Sequence, residues 1–258
     1  MRPDWPRLES GEVALTWIGH ASFLLQAGGL NILIDPVWGK WVKGIKRIRM
    51  PGVELSALPG IDLVLITHAH FDHLDRKTLR SVASNQPVVV PFEVGNLVHD
   101  LGFQLVQELH YWESFEFGPL RVTLTPCHHW GARMLHDTHR GFGGYMIELG
   151  GRCIYHCGDT AYFDGFREIG SRFPVELALL PIGAYDPPSL RAVHMNPEQA
   201  LEAFLDLDAK HMVPMHYGTF RLSYEPLDEP PRRLHQAACE RGLDHRIAWM
   251  EEGTPRVF

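Results

Sequence analysis

Thr67-His68-Ala69-His70-Phe71-Asp72-His73-Leu74-Asp75 follows the short apolar run Ile61-Asp62-Leu63-Val64-Leu65-Ile66. The length and β-branched content of that run suit a buried strand. Four metal-competent side chains, His68, His70, Asp72 and His73, therefore leave the end of a core strand together. Alternation in an extended segment points His68 and His70 the same way, while the turn that follows carries Asp72 and His73 to a neighbouring volume. One metal ion could take the first pair and a second ion the other. A solvated, His-rich loop is the bland alternative.

Further polar clusters recur where strands are expected to end. Val13 to Ile18, Ser22 to Gln26 and Asn31 to Ile34 read as strands, the last two joined by a hairpin at Gly28-Gly29. His20 stands at the junction after the first, where it could support a metal ligand. Leu120 to Thr125 delivers His128 and His129, Arg152 to Tyr155 delivers Asp159, and Lys210 to Pro214 delivers His216. Asp159 follows Gly158 at a tight exit, which suits a carboxylate reaching between two ions. A centre with two metals needs six or more nitrogen and oxygen donors, one of them bridging. His68, His70, Asp72, His73, one of His128 or His129, Asp159 and His216 make that number.

Helices are expected from Leu74 to Ala83 with Asp75 as cap, over Glu93 to Leu101, after the Asn196-Pro197-Glu198-Gln199 start, and over Arg232 to Arg241. Leu177 to Leu180 reads as another buried strand. With strands and helices alternating and no linker composition, residues 1–258 read as one α/β domain of sheets packed inside outer helices.

The chain of 258 residues has a net charge of −7, which argues against a broad nucleic-acid-binding face. Its four cysteines lack a C-x-x-C spacing and read as reduced thiols. Met1 to Glu12 has no apolar signal core, and no run of 18 apolar residues occurs, so a cytoplasmic protein is expected. Trp38 to Met50 interleaves Trp38, Trp41, Val42, Ile45, Ile48 and Met50 with five basic residues, a composition compatible with a lipid surface or an anionic substrate. The alternative is a loop with its apolar side on the body and its charges in water.

Taken together, these motifs resemble the metallo-β-lactamase fold superfamily and, within it, the phospholipases D that hydrolyse N-acyl phosphatidylethanolamine. The likeness runs from about Leu15 to Gly242. It rests on Thr16-Trp17-Ile18-Gly19-His20-Ala21, Asp35-Pro36, the His68 to Asp75 motif, Thr125-Pro126-x-x-His129-Trp130-x-x-Arg133 and Gly158-Asp159-Thr160. Pro181-Ile182-Gly183-Ala184-Tyr185, His194-x-x-Pro197-Glu198 and His216-x-Gly218-Thr219-Phe220 extend it.

The resemblance implies a four-layer α/β/β/α sandwich holding two divalent ions, zinc first, with manganese or iron as alternatives. It gives His68, His70 and His129 to one metal and Asp72, His73 and His216 to the other, with Asp159 bridging. It also implies Asp72 and His194 as catalytic residues, with His194, Tyr185, Trp130 and Arg133 on the substrate side and His20, Asp35 and His128 supporting the ligands. An imidazole at His194 could also protonate a leaving group.

The reaction implied is hydrolysis of a small-molecule or lipid phosphodiester by metal-activated water. Lactone or carboxylic ester hydrolysis is the alternative within the same fold, and a metal-dependent sensor or scaffold the alternative outside catalysis. Because the N-terminal part is shorter than in the animal phospholipases, Trp38 to Met50 is the expected local substitute for their membrane-facing groove.

Overall fold

The computed structural model describes residues 4–134 and 136–258, so residues 1–3 of the N-terminal stretch lie outside the described residues. β1 (Val13–Gly19), β2 (Ser22–Ala27) and β3 (Leu30–Ile34) form an antiparallel meander, followed by a small separate hairpin of β4 (Trp41–Val42) and β5 (Ile45–Lys46). The chain returns through β6 (Leu63–Leu65), α1 (Arg76–Val82), β7 (Pro87–Pro91) and β8 (Leu105–Leu109), whose strands add in parallel beside β3.

A second sheet begins with β9 (Ser114–Phe117), β10 (Leu120–Thr125), β11 (Gly144–Leu149) and β12 (Arg152–His156), all antiparallel. After α2 (Gly165–Arg172), β13 (Leu177–Pro181) joins it in parallel. α3 (Pro197–Asp206) then leads to β14 (His211–Met215), also parallel. α4 (Glu229–Glu240) precedes β15 (Pro255–Val257), which crosses back to pair with β1. The strand orders are β15-β1-β2-β3-β6-β7-β8 and β14-β13-β12-β11-β10-β9.

The period-two alternation of the strands explains the layering. Phe23 and Leu25 of β2, Leu63 and Leu65 of β6 and Val89 of β7 join Val122, Ile147 and Leu179 of the second sheet in one core. Leu24, Val64, Val88 and Val90 point the other way and pack with Leu79 of α1. On the far side of the second sheet, Phe166 of α2, Leu201 and Phe204 of α3 and Leu234 of α4 close the outer layer. The result is the expected α/β/β/α sandwich.

Asp75 caps α1 by accepting from the Lys77 N–H, and Asn196 with Gln199 forms the expected capping box on α3. The helix expected over 93–101 does not form; a single 3-10 turn, Gly95–Leu97, takes its place. Glu93 has a left-handed backbone (φ 61°), Glu108 accepts the Gly95 and Glu93 N–H groups, and Arg140 donates to the Glu93 carbonyl. Side chains thus occupy the groups a helix would need. α4 begins earlier than expected, because Pro230 and Pro231 fit its first turn. Among the described residues, no helix is long and apolar enough to cross a membrane.

Candidate metal centre

Six strands end at one rim of the sandwich, and each end contributes a polar residue: β1 His20, β3 Asp35, β6 the run from Thr67 to His73, β10 His129, β12 Asp159 and β14 His216. His194 reaches the same place from the turn before α3. Ends of neighbouring strands are natural places for ligands because side chains there converge without breaking the sheet. Three of these residues, His20 (φ 56°), Asp35 (φ 42°) and His216 (φ 61°), hold left-handed backbones. That conformation costs a non-glycine residue roughly 1–2 kcal/mol, and such outliers gather where function fixes geometry.

The centre of the cluster is the carboxylate of Asp159. Its Oδ2 lies 3.1 Å from His216 Nε2 and 3.3 Å from His73 Nε2. His68 Nε2 and His194 Nδ1 are 3.9 Å away and His129 Nε2 4.0 Å. Its other oxygen, Oδ1, is buried without a hydrogen-bond partner. To one side, His70 Nδ1 stands 2.9 Å from His68 Nε2 and 3.2 Å from His129 Nε2. To the other, Asp72 Oδ2 lies 3.6 Å from His216 Nε2, 3.7 Å from His73 Nε2 and 2.9 Å from His20 Nε2.

A layer of hydrogen bonds behind the cluster decides which ring nitrogens face inward. Asp35 accepts from the Thr67 N–H (2.7 Å), the Thr67 hydroxyl (2.6 Å) and His73 Nδ1–H (2.7 Å). With its proton committed to Asp35, the Thr67 hydroxyl accepts from His68 Nδ1–H at 3.0 Å. His129 Nδ1–H donates to the Val193 carbonyl at 2.9 Å. His68 and His129 are thereby left with Nε2 as a lone pair directed at the cluster, and Nε2 of His73 is the nitrogen that faces it, the arrangement second-layer partners create around metal-bound histidines.

Without a cation this arrangement is unfavourable. His70 Nδ1 has at most one proton to share between the Nε2 lone pairs of His68 and His129, and His73 Nε2 meets two carboxylates only by taking up a proton of its own. Buried His70 Nε2, His73 Nε2, His194 Nδ1, both His216 ring nitrogens and Asp159 Oδ1 find no partner, and leaving such groups unpaired is costly. His20, Asp72, His73 and His216 form one set with donor atoms mutually within 4.8 Å; His68, His70 and His129 form another, and His68, His73 and Asp159 a third. Nitrogen and carboxylate donors of this kind suit first-row divalent ions. The His/Asp cluster is able to bind metal.

The electrostatics divide the same way. Burial lowers His68, His70 and His129, keeping that group neutral. Burial also opposes charge on His216 and His73, but Asp159 and its neighbouring carboxylates overcome it, raising His216 to about 9 and His73 well above its usual value. Burial works against Asp159 ionising, yet His216 and His73 hold it well below the ordinary carboxylate range. His194 is driven down to about 4, chiefly by burial.

Several residues expected on the substrate side or behind the ligands stand elsewhere. Tyr185 is buried, with its hydroxyl donating to Glu229 Oε1 at 2.8 Å and Arg233 over its ring, so it anchors α4 instead of facing the cluster. Arg133 donates to the carbonyls of Ala69 (2.7 Å) and Leu74 (2.9 Å) and lies 3.8 Å from the Phe71 ring centroid; it braces the ligand loop from behind. The His128 side chain is exposed, and it is the backbone of this residue that holds the Asp159 loop, through the Thr160 hydroxyl and the Ala161 N–H. Trp130, half exposed, packs against His70 at 4.5 Å and does line the opening.

Thr67 and Thr219 stand in the quoted motifs without a role and the Val193 carbonyl in none, yet Thr219 Oγ1 accepts the His20 N–H at 2.8 Å. A hydroxyl next to a histidine at a buried strand end was the available signal for Thr67. A cavity of about 180 Å³ opens over His70 and Asp72, walled by Val42, Ile45, Phe71, Trp130 and Leu222.

Residues 30–217 match the β-lactamase superfamily domain. The chain belongs to that superfamily and is a metal-dependent hydrolase of the metallo-β-lactamase fold. It is 33% identical to a UPF0173 metal-dependent hydrolase of Rubrobacter xylanophilus over 94% of this chain and 96% of the relative. It is 34% identical to N-acyl-phosphatidylethanolamine-hydrolyzing phospholipase D 1 of Caenorhabditis elegans over 82% of this chain and 65% of that protein. Among solved structures, Igni18, a metallo hydrolase from the archaeon Ignicoccus hospitalis, is 29% identical and superposes with a TM-score of 0.76, covering 96% of this chain and 98% of that one.

Proposed function

We propose that the cluster holds two divalent ions, zinc first, and hydrolyses a phosphodiester with an apolar substituent, of the N-acyl phosphatidylethanolamine kind. His68, His70 and His129 would bind one ion, Asp72, His73 and His216 the other, and Asp159 would join them. The observation that carries the reading is the position of Asp159 Oδ2, within 4.0 Å of imidazole nitrogens from both groups. The likeness to the nematode phospholipase D supports the choice of substrate class.

A bound ion pair supplies Lewis-acid activation of water near neutral pH and stabilises charge on the phosphoryl oxygens. The protein's own groups do the rest. Asp35 and Thr67 orient the rings of His73 and His68 in advance, and metal binding would displace the proton that Asp159 holds on Nε2 of His73. His20 donates from Nε2 to Asp72 and holds its carboxylate toward the second group.

His194 is neutral at physiological pH because of burial, so it fits the role of a hydrogen-bonding partner for a phosphate oxygen better than that of a standing acid. Phe71, Trp130, Val42, Ile45 and Leu222 exclude water from the apolar part of the substrate. Any contact of the 38–50 segment with a lipid surface belongs to this proposal too. Trp41, Ile48 and Met50 are exposed there and available for it.

The test is a parallel assay of metal-loaded protein on bis-p-nitrophenyl phosphate, N-acyl phosphatidylethanolamine and simple lactones. The reading expects metal-dependent turnover of the phosphodiesters at a kcat/KM well above that of the lactones. Turnover of lactones alone would transfer the site to ester hydrolysis. Tight metal binding with no turnover of any of them would favour a sensor.

A further inference from the structure

Five basic residues lie in the 38–50 segment, and the structure gives them different tasks. Arg47 is buried and spent on the protein itself, donating to the carbonyls of Val37 (2.6 Å) and Gly39 (3.1 Å) with its guanidinium over Phe220. Arg49 lies against Gly218. Lys40 opens onto a separate cavity beside Asp75. Lys46 is exposed and sits across the hairpin from Trp41. Lys43 alone lines the cavity whose floor contains His70 and Asp72.

The placement of Lys43 is specific. It forms, with Gly44, the two-residue turn between the paired Val42 and Ile45, and both residues have positive φ (45° and 82°). Such hairpin turns favour Asn, Asp or Gly at the first position, so a lysine there goes against the local backbone preference. Its ammonium stands 4.8 Å from the Phe71 ring centroid, and among the described residues no carboxylate pairs with it.

The hairpin is not a loose flap. The Arg47 N–H donates to the Lys40 carbonyl, the Ile48 N–H to the Thr219 carbonyl, and Arg47 bridges to Phe220, next to the strand exit that carries His216. The turn that carries Lys43 is thus anchored at the mouth of the candidate metal centre, with its exposed ammonium beside an apolar wall.

We propose that Lys43 recognises negative charge on the substrate adjacent to its apolar group, and so sets the preference of the cleft for anionic over neutral substrates. The inference rests on the cluster being a hydrolytic metal centre, but its test does not require turnover.

Diphenylphosphinate, an anion whose two aryl groups are held by P–C bonds that hydrolysis does not cleave, and the neutral methyldiphenylphosphine oxide are titrated by calorimetry into metal-loaded wild type, Lys43→Met and Lys43→Arg. Metal content and thermal unfolding are measured alongside. Loss of a charge-assisted contact predicts that Lys43→Met lowers the anion-over-neutral affinity ratio about tenfold or more, while Lys43→Arg restores most of it. An unchanged ratio, an equal loss for both ligands, which would indicate packing on Phe71, or no binding of the anion by wild type would each overturn the proposal. Wild type that binds the anion through Lys43 yet hydrolyses no phosphodiester would instead sink the proposed function and leave the role of Lys43 intact.

Discussion

The His/Asp cluster and the β4–β5 hairpin line the same opening, and they are held in contrasting ways. In the cluster three rings have their second nitrogen committed, His73 to Asp35, His68 to Thr67 and His129 to the Val193 carbonyl, and those of His70 and His216 are enclosed. The hairpin hangs on one buried arginine and a few backbone bonds, with Trp41 61% exposed. On the proposed reading, chemistry is set by residues that cannot move independently, whereas selectivity rests on residues that can change without disturbing the rim. The same division lets one fold serve many reactions and substrates.

Removing the centre of the cluster should have the largest effect. Asp159→Ala is expected to lower turnover by about 10³-fold or more and to reduce bound metal, with secondary structure retained by circular dichroism. A well-folded Asp159→Ala protein with wild-type turnover would remove the cluster from the chemistry.

One step behind, Asp35→Asn keeps the size of the side chain but loses the charge that fixes His73 and Thr67. Metal affinity measured by chelator competition should fall about 10- to 100-fold. No change would mean that His73 is oriented by packing alone.

The smallest effect belongs to the hairpin. Trp41→Ala should leave stability within about 0.5 kcal/mol, as expected for an exposed position, and metal affinity unchanged, with any loss confined to KM for substrates bearing long apolar groups. A fall in metal affinity would erase the contrast between the two regions.

The architecture was largely legible because strand alternation and glycine turns are local signals. Buried runs such as 61–66 and 177–180, and the capping residues Asp75 and Asn196, carry their structure in their own chemistry. The 93–101 segment misled because Glu108 and Arg140, remote in sequence, take over its backbone groups. α2 went unread because it is short, with only Phe166 and Ile169 buried, and β15 because it is a three-residue edge strand.

In the site, the residues read as ligands lie together because each belongs to the short loop that leaves a buried strand at the same rim of the sandwich. Tyr185, Arg133 and His128 turn their side chains away from the cluster for a different reason. Motif position locates a backbone, and the direction of a long side chain depends on partners such as Glu229 and the Ala69 carbonyl that no local pattern reveals.

The most direct test is a metal count joined to anomalous scattering from crystals of protein purified without chelator. The account predicts two ions per chain, about 3.5–4 Å apart, one against His68, His70 and His129, the other against Asp72, His73 and His216, with Asp159 touching both. A single ion, or an Asp159 carboxylate that coordinates neither, would contradict it.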